Sequence, residues 1–266
     1  MKLAFSQPTP NEQQEKVLFS GFLSAGYSGL QLKGGQYLPW INQPEHFREL
    51  ADNDASLVSG LIFGSRLDDE GVAQLRKIIS FASSISSERV IFCHGVPRSE
   101  VSDEDIRDYA GILSRLANEA SDQGVALSLH HHYNQPVMYL ADLRTFYGSA
   151  ESSTLKLTID TAHMWMSGQD DVGAAILEFQ ERLDNVHLKD CSAGNGDERG
   201  IKGERLHTQF ASLGKGDMAF ESIFAALRQI SYSSWLCVDE ESGADVQESM
   251  ELSYEFIQRH LADSAK

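Results

Sequence analysis

The sequence predicts an α/β fold: a closed (β/α)8 barrel of the TIM type, formed as a single domain over residues 1–266. Short apolar runs alternate with longer amphipathic ones from end to end, and eight such runs are each followed by a helical pattern. The length of 266 residues also suits a barrel, which commonly uses about 250 residues as one domain. A doubly wound open sheet is the alternative fold.

The predicted strands are the eight short apolar runs, taken in chain order. They cover residues 3–6, 29–34, 56–64, 89–95, 125–131, 155–161, 185–191 and 235–240. Helices are clearest where apolar residues recur three and four positions apart, over residues 103–120, 174–183, 220–230 and 246–261. The last helix completes the eighth strand–helix pair. No low-complexity linker or change of composition indicates a second domain.

Charge and composition exclude several classes of partner. The formal net charge of −17 would repel nucleic acid and anionic lipid, although a local basic site is compatible with it. No apolar stretch approaches the roughly 18 residues of a membrane span, and the N-terminus lacks the apolar core of a signal peptide. The three cysteines (Cys93, Cys191 and Cys237) show no CxxC spacing, which suits reduced thiols. We therefore expect a cytoplasmic protein.

The longest aperiodic segment, residues 192–217, is rich in glycine and charge and follows the seventh predicted strand. A solvated surface loop is one interpretation. A mobile lid over the strand ends is the other, because connections of this length in compact domains are often functional.

Alternation along the last four strands predicts which side chains enter the barrel. In a barrel strand the apolar parity faces the helices, so the other parity faces the interior. This rule places His131 outward and Lys189 inward, and it leaves Glu240 outward or in the turn. Each of these four strands then delivers one metal-competent side chain to the same rim: His130, Asp160, His187 and Asp239.

Two histidines and two carboxylates converging in a buried interior predict a bound divalent metal ion. Unpaired charge is costly away from water, and a cation would neutralise it. Mixed nitrogen and oxygen ligands suit Mn²⁺, Zn²⁺, Co²⁺ or Mg²⁺. A polar network without metal is the alternative, since a single inward histidine is most often a hydrogen-bonded packing residue.

Five segments together resemble the xylose isomerase-like barrel superfamily. IDTAH (159–163) looks like the family's D-T-G/A-H, and VHLKD (186–190) looks like its H-x-K-D. GKGDMAF (214–220), SWLCVDEES (234–242) and GYSGLQLKGGQY (26–37) are similar to further family segments in the same order. The superfamily includes sugar isomerases, ketose 3-epimerases, inosose dehydratase and endonuclease IV.

The chain also departs from part of this family. The isomerases and epimerases usually carry a glutamate at the end of the fifth strand and another at the end of the eighth, where this chain has His130 and Asp239. LSLHHHYN (127–134) is instead similar to the H-x-H run of the inosose dehydratase branch. These departures argue against the two-glutamate mechanism.

The resemblance implies a role for each site residue. Asp160 and His187 would be metal ligands, Asp239 a ligand that also faces the reacting carbon, and His130 a ligand or the general base. Lys189 would hold the charge of the intermediate or, alternatively, neutralise Asp160 or Asp190. Four residues would contact substrate: Gln31, His94, His132 and His163. The alternatives are a solvated strand-end residue for Gln31, packing for His94, support of the metal ligands for His132, and helix capping or a loop position for His163.

The first functional hypothesis is a metal-dependent sugar isomerase or epimerase that removes a proton next to a carbonyl through an enediolate. A lyase, either of the inosose dehydratase type or eliminating from 3-keto-glycosides, is the second. A non-catalytic sugar-binding barrel is the third. The expected partner is a small carbohydrate. The resemblance also implies a possible homo-oligomer. DNA repair of the endonuclease IV type is disfavoured by the charge of −17.

Overall fold

The computed structural model describes residues 1–50, 57–194 and 196–262. Eight parallel strands form a closed barrel in the spatial order first, last, seventh, sixth, fifth, fourth, third, second. They are β1 (Lys2–Ser6), β2 (Gly29–Leu32), β3 (Val58–Ser65), β4 (Arg89–His94), β5 (Ala126–His130), β6 (Lys156–Asp160), β7 (Leu183–Leu188) and β10 (Trp235–Asp239). The predicted (β/α)8 barrel is confirmed, and the open sheet is excluded. Ser56, the first residue of the predicted third strand, lies outside the described residues.

The helices lie between the strands and after the last one. They are α1 (Glu12–Gly21), α2 (Gly34–Tyr37), α3 (Pro44–Leu50), α4 (Asp69–Ser84), α5 (Asp103–Ser121), α6 (Leu140–Ser149), α7 (Thr161–Met166), α8 (Val172–Glu178), α9 (Phe220–Gln229) and α10 (Val246–Ala262). In the described residues, short 3-10 helices cover Leu38–Trp40 and Arg98–Glu100. No helix in the described ranges has the length and apolar character that crossing a bilayer requires.

Three of the four predicted helices are confirmed to within two residues, and the fourth was placed too far along the chain. α8 ends at Glu178, and the carbonyl of Phe179 accepts the backbone N–H groups of Arg182 and Leu183 in a turn. Leu183 then begins β7. The segment predicted as a helix to residue 183 therefore includes the end of α8, the turn after it and the first residue of β7.

Packing divides the chain into two compact units, residues 1–29 with 159–266, and residues 30–158. The assignment of residues 1–266 to one domain therefore stays a prediction. In the first unit β10 lies between β1 and β7, and Cys237 is in register with Ala4 on one side and His187 on the other. Ala4, Cys237 and Trp235 form a small buried cluster on the same side of these strands.

In the second unit, close packing at Gly60 shows which side chains of β2, β3 and β4 share a face. A Cβ on Gly60 would lie 3.0 Å from Arg89 Cγ, 3.1 Å from Ile91 Cδ1 and 3.3 Å from Gln31 Cγ. These three side chains therefore lie on one side, and only a residue without a side chain fits between them. By strand alternation Cys93 shares this side and His94 takes the other.

The long segment after β7 is an antiparallel hairpin of β8 (Asp190–Ala193) and β9 (Thr208–Ala211). At its base the Asp190 carboxylate accepts backbone N–H groups from Cys191, Gly214 and Gly216, at 2.8 to 2.9 Å. Gly216 has no room for a side chain, because its Cβ would lie 2.3 Å from Asp190 Oδ1. The segment predicted as a solvated loop or a mobile lid is thus partly regular and bonded at its base.

The connection between β8 and β9 is held by Arg205. Its guanidinium lies 3.3 Å from the centroid of the Trp165 ring and donates to the Trp165 carbonyl. The same group lies 2.6 Å from Asp170 Oδ1 and 2.8 Å from Asp197 Oδ1. A stacked, multiply bonded arginine is a rigid support, so the hairpin has a second anchor besides Asp190.

Candidate active site

Four charged or titratable side chains come together at the carboxyl ends of β6, β7 and β10. Asp160 and Asp239 are the last residues of β6 and β10, His187 is in β7, and Lys189 follows β7 directly. All four are buried, with exposed fractions of 4% or less. Charge held this far from water requires close partners of the opposite sign.

The carboxylate of Asp160 has two different surroundings. Its Oδ1 accepts the backbone N–H of His163 at 3.0 Å and so caps the N-terminus of α7. Its Oδ2 lies 3.8 Å from His187 Nδ1 and 3.6 Å from Lys189 Nζ. One residue therefore joins the start of a helix to the charged cluster.

The Lys189 ammonium is surrounded by carboxylates. Its Nζ lies 2.7 Å from Asp239 Oδ2 and 3.0 Å from Glu241 Oε2, in addition to the Asp160 oxygen. Burial lowers the pKa of Lys189, but the nearby charges of Asp239, Asp160 and Glu241 outweigh it and hold that pKa well above its ordinary value. The side chain is thus a fixed positive charge.

The backbone of Lys189 is fixed as well. The Thr161 hydroxyl donates to the Lys189 carbonyl at 2.7 Å and accepts the Lys189 N–H at 2.9 Å. This pair of bonds ties the first residue of α7 to the residue that follows β7. The D-T-A-H and H-L-K-D motifs are therefore joined through backbone contacts as well as side-chain charge.

His130 ends β5 and is buried, with 4% of its surface exposed. Asp160 Oδ2 and His187 Nδ1, both in the first unit, lie 3.8 Å apart, a spacing that a single metal ion could bridge. A carboxylate and an imidazole are donors that Zn²⁺, Mn²⁺ and Co²⁺ accept, so these two residues fit a divalent ion, with His130 as the further predicted ligand. Their roles as ligands stay predictions.

The two acids at the end of β10 point to different surroundings. Asp239 Oδ2 contacts Lys189 and lies 3.6 Å from His187 Nδ1. Glu240 Oε1 accepts the backbone N–H of Ser242 at 2.6 Å, and burial raises the pKa of Glu240 above its ordinary value. Alternation predicted this difference. The role of Asp239 as a fourth ligand stays a prediction.

Three other predicted contact residues each have their own surroundings. Gln31 is buried on the side of β2 that faces Gly60. His132 Nδ1 lies 2.7 Å from the Tyr133 carbonyl oxygen, and His131, of the opposite parity, is fully buried. The His163 ring meets the Phe210 ring edge to face at 5.6 Å. Contact of Gln31, His132 and His163 with a substrate stays a prediction.

His94 packs against a helix. Its ring lies 4.2 Å from the ring of Tyr109, which belongs to α5, and 6.1 Å from that of Phe92. Burial, together with the charge of Arg66, lowers the pKa of His94 to about 4, so the ring is neutral at pH 7. These contacts favour the packing alternative for His94, and its predicted substrate contact is untested.

Sequence reasoning missed three residues that contact Lys189. Glu241 has the inward parity of Asp239 and could have been found by extending the alternation by two positions. Thr161 lies within the quoted D-T-A-H motif. Phe210 is on β9, inside the segment that showed no periodicity, and no local signal pointed to it.

Replacing Glu240 by glutamine should leave the metal content of the protein unchanged, because Glu240 faces Ser242 rather than the cluster. A buried acid with a raised pKa opposes folding above that pKa and has no such effect below its unfolded value. E240Q should therefore gain stability relative to the wild type at pH 7, and the gain should shrink toward pH 4. Metal analysis and urea unfolding at both pH values measure this. H131N is the matched control for metal content, and loss of metal in either variant would contradict the strand parities.

Comparison with known proteins identifies relatives of this chain. Residues 23–259 match the model of the family described as xylose isomerase-like TIM barrel. An inosose dehydratase of Lacticaseibacillus casei is 26% identical over 148 residues, which are 52% of this chain and 48% of that protein. The chain spans about half the length of the curated relatives it matches.

Solved structures show the same fold along the whole chain. L-ribulose 3-epimerase superposes with a TM-score of 0.72 at 16% identity, covering 100% of this chain and 96% of that one. The IOLI protein with a bound zinc atom superposes with a TM-score of 0.70 at 14% identity, covering 99% and 97%. The dehydratase and the epimerase are enzymes. With the family match over residues 23–259, these findings show that the chain belongs to the xylose isomerase-like TIM barrel family.

Proposed function

We propose that the chain is a metal-dependent carbohydrate isomerase or epimerase. It would remove a proton from the carbon next to a carbonyl group and return a proton either to the other face of that carbon or to the neighbouring carbon. The observation that supports this most is the buried cluster in which Lys189 lies between Asp160, Asp239 and Glu241, with His187 beside them. A fixed positive charge at the carboxyl ends of barrel strands is suited to a reaction that develops negative charge on oxygen.

The residues that would hold the metal are Asp160 and His187, whose side chains lie 3.8 Å apart, together with His130 from the end of β5. When bound, a divalent ion would polarise the substrate's carbonyl and lower the pKa of the adjacent C–H group. Among Zn²⁺, Mn²⁺, Co²⁺ and Mg²⁺, the two imidazoles favour the first three over Mg²⁺.

Lys189 would stabilise the enediolate. Its ammonium donates hydrogen bonds, and its raised pKa keeps it charged throughout the neutral range. Hydrogen-bond donors that are already oriented toward the developing charge cost no reorganisation during the reaction. Thr161 and the surrounding carboxylates provide that orientation.

Asp239 is the group to which we assign proton transfer, with His130 as the alternative if it is not a ligand. The Asp239 carboxylate borders both Lys189 and His187, so it lies where the substrate's reacting carbon would meet the ammonium. An ionised carboxylate at this position is a group that can accept a proton. Gln31, His132 and His163 remain the candidates for contacts with substrate hydroxyl groups.

A lyase of the inosose dehydratase type is the second candidate, and the sequence relatives favour it. The matched relative of L. casei is an inosose dehydratase. Dehydration begins with the same proton removal. The C–O bond at the next carbon then breaks, a proton is supplied to the departing hydroxide, and water leaves.

Proton exchange in heavy water tests the shared step and separates the two outcomes. We expect the Zn²⁺- or Mn²⁺-loaded protein to incorporate deuterium next to the carbonyl of a ketose, detected by NMR, and chelator-treated protein to lose this exchange. Formation of an epimer or aldose supports the first candidate. Loss of water from a keto-inositol, or of the aglycone from a 3-keto-glycoside, supports the second. Sugar binding without exchange or product would contradict both and leave a non-catalytic barrel.

A further inference from the structure

Phe210 is the aromatic side chain that β9 brings to the charged cluster. The Lys189 Nζ lies 4.8 Å from the centroid of the Phe210 ring. The His163 ring meets the same ring at 5.6 Å and an interplanar angle of 87°. A single half-buried ring therefore contacts two of the predicted site residues, one from each of the two motifs.

The position of Phe210 follows from how the hairpin is built. β8 begins one residue after Lys189, and β9 pairs with it so that Phe210 is opposite Cys191. The base of the hairpin is held by Asp190, and the far connection is held by Arg205 on Trp165. Two anchors on one short hairpin fix the ring relative to the lysine.

The contact has a definite effect on the ammonium. A lysine side chain has four rotatable bonds and loses conformational entropy when it is held in one geometry. Asp239 and Glu241 attract the ammonium from the carboxylate side, while the electron-rich face of Phe210 attracts it and excludes water from another side. The ring thus limits the directions in which the ammonium can point.

We propose that Phe210 is a positioning residue, which holds the Lys189 ammonium and the His163 ring in the orientation that the reaction needs. This inference rests on the proposed function for its catalytic consequence, although the contact itself can be measured without turnover. The hairpin then acts as a fixed part of the site rather than as a lid.

The test compares F210L, which removes the ring but keeps an apolar side chain of similar reach, with F210Y, which keeps the ring face. In protein labelled with ¹³C-lysine, the ring current of Phe210 should shift the Lys189 Hε resonance upfield, and a K189M sample assigns it. We expect this shift in the wild type and in F210Y and its loss in F210L. We also expect F210L to lower kcat about tenfold, the size of a desolvated cation–π contact, with KM within about twofold.

Gln209→Ala is the matched control, because Gln209 is exposed and is the neighbouring residue on β9. It should change neither the Lys189 resonance nor kcat. F210M, with a longer apolar side chain, replaces F210L if the thermal melt shows that F210L does not fold. An unshifted Lys189 resonance in the wild type, or equal kcat in F210L and F210Y, overturns the inference. If the wild type turns over no sugar, the proposed function fails, and the resonance alone then decides whether Phe210 positions Lys189.

Discussion

Replacing Asp160 by alanine is expected to remove the bound metal and to lower kcat/KM by about a thousandfold, within the range for loss of a charge-stabilising group. The Asp160 Oδ2 atom borders His187 and Lys189, so its loss leaves a proposed ligand set of two histidines. The same substitution deletes the cap of α7, which should cost about 1 kcal/mol of unfolding free energy. Metal analysis, steady-state kinetics and urea unfolding measure the three effects.

Asp160→Asn separates the two roles of this residue. An asparagine oxygen can still accept the His163 N–H, so D160N should retain most of the stability that D160A loses. It lacks the negative charge and should lose metal and activity as D160A does. Full metal occupancy in D160A would contradict the proposed ligand set, and equal stability of the two variants would contradict the capping role.

Lys189→Met should be the most destabilising change in the cluster, because it leaves buried carboxylates without their cation. Removing one partner of a buried ion pair typically costs about 3 to 5 kcal/mol, and Asp160 and Asp239 are both buried here. Turnover should fall about a hundredfold or more as the donor to the enediolate is lost. Exposed Lys77 in α4 provides the control K77M, which should change stability by less than about 0.5 kcal/mol.

The stability that Lys189 contributes, and that K189M lacks, depends on pH through the pKa of Lys189. The pKa of Lys189 in the folded protein lies above its unfolded value of about 10.4, so its stabilising effect is fully present below that pH. It disappears only as pH rises through the still higher folded pKa. The difference between wild type and K189M should therefore be as large at pH 9 as at pH 7, because both lie below the pKa of Lys189 in either state. A difference that disappeared between pH 7 and pH 9 would contradict the charge assignment.

Strand alternation was enough to place most of the charged cluster. It depends only on neighbouring residues, and the apolar side chains of β6, β7 and β10 show which parity is outward. For that reason the sequence distinguished Asp239 from Glu240, whose side chains face different partners. Closure of the barrel could also be predicted, because it follows from the number and order of the alternating runs.

The rest depends on contacts between residues far apart in the chain. The hairpin of β8 and β9 relies on bonds from Asp190 to Gly214 and Gly216, which are 24 and 26 residues away, and no local period records them. Phe210 was missed for the same reason. The end of α8 was misplaced because Leu183 continues an apolar spacing that a helix and a strand share at their junction.

The two anchors of the hairpin also show which of its residues could be replaced without moving Lys189. The backbone bonds to Asp190 fix the residues next to Lys189, whereas residues 196–204 lie beyond that base and include the fully exposed Ile201. Natural drift or a protein engineer could exchange these residues for a segment of another length without displacing the lysine, provided that Asp190, Arg205 and the close-packed Gly216 are kept. New sequences could thus be inserted in this connection to vary what the hairpin contacts, while Lys189 and its neighbours keep their positions.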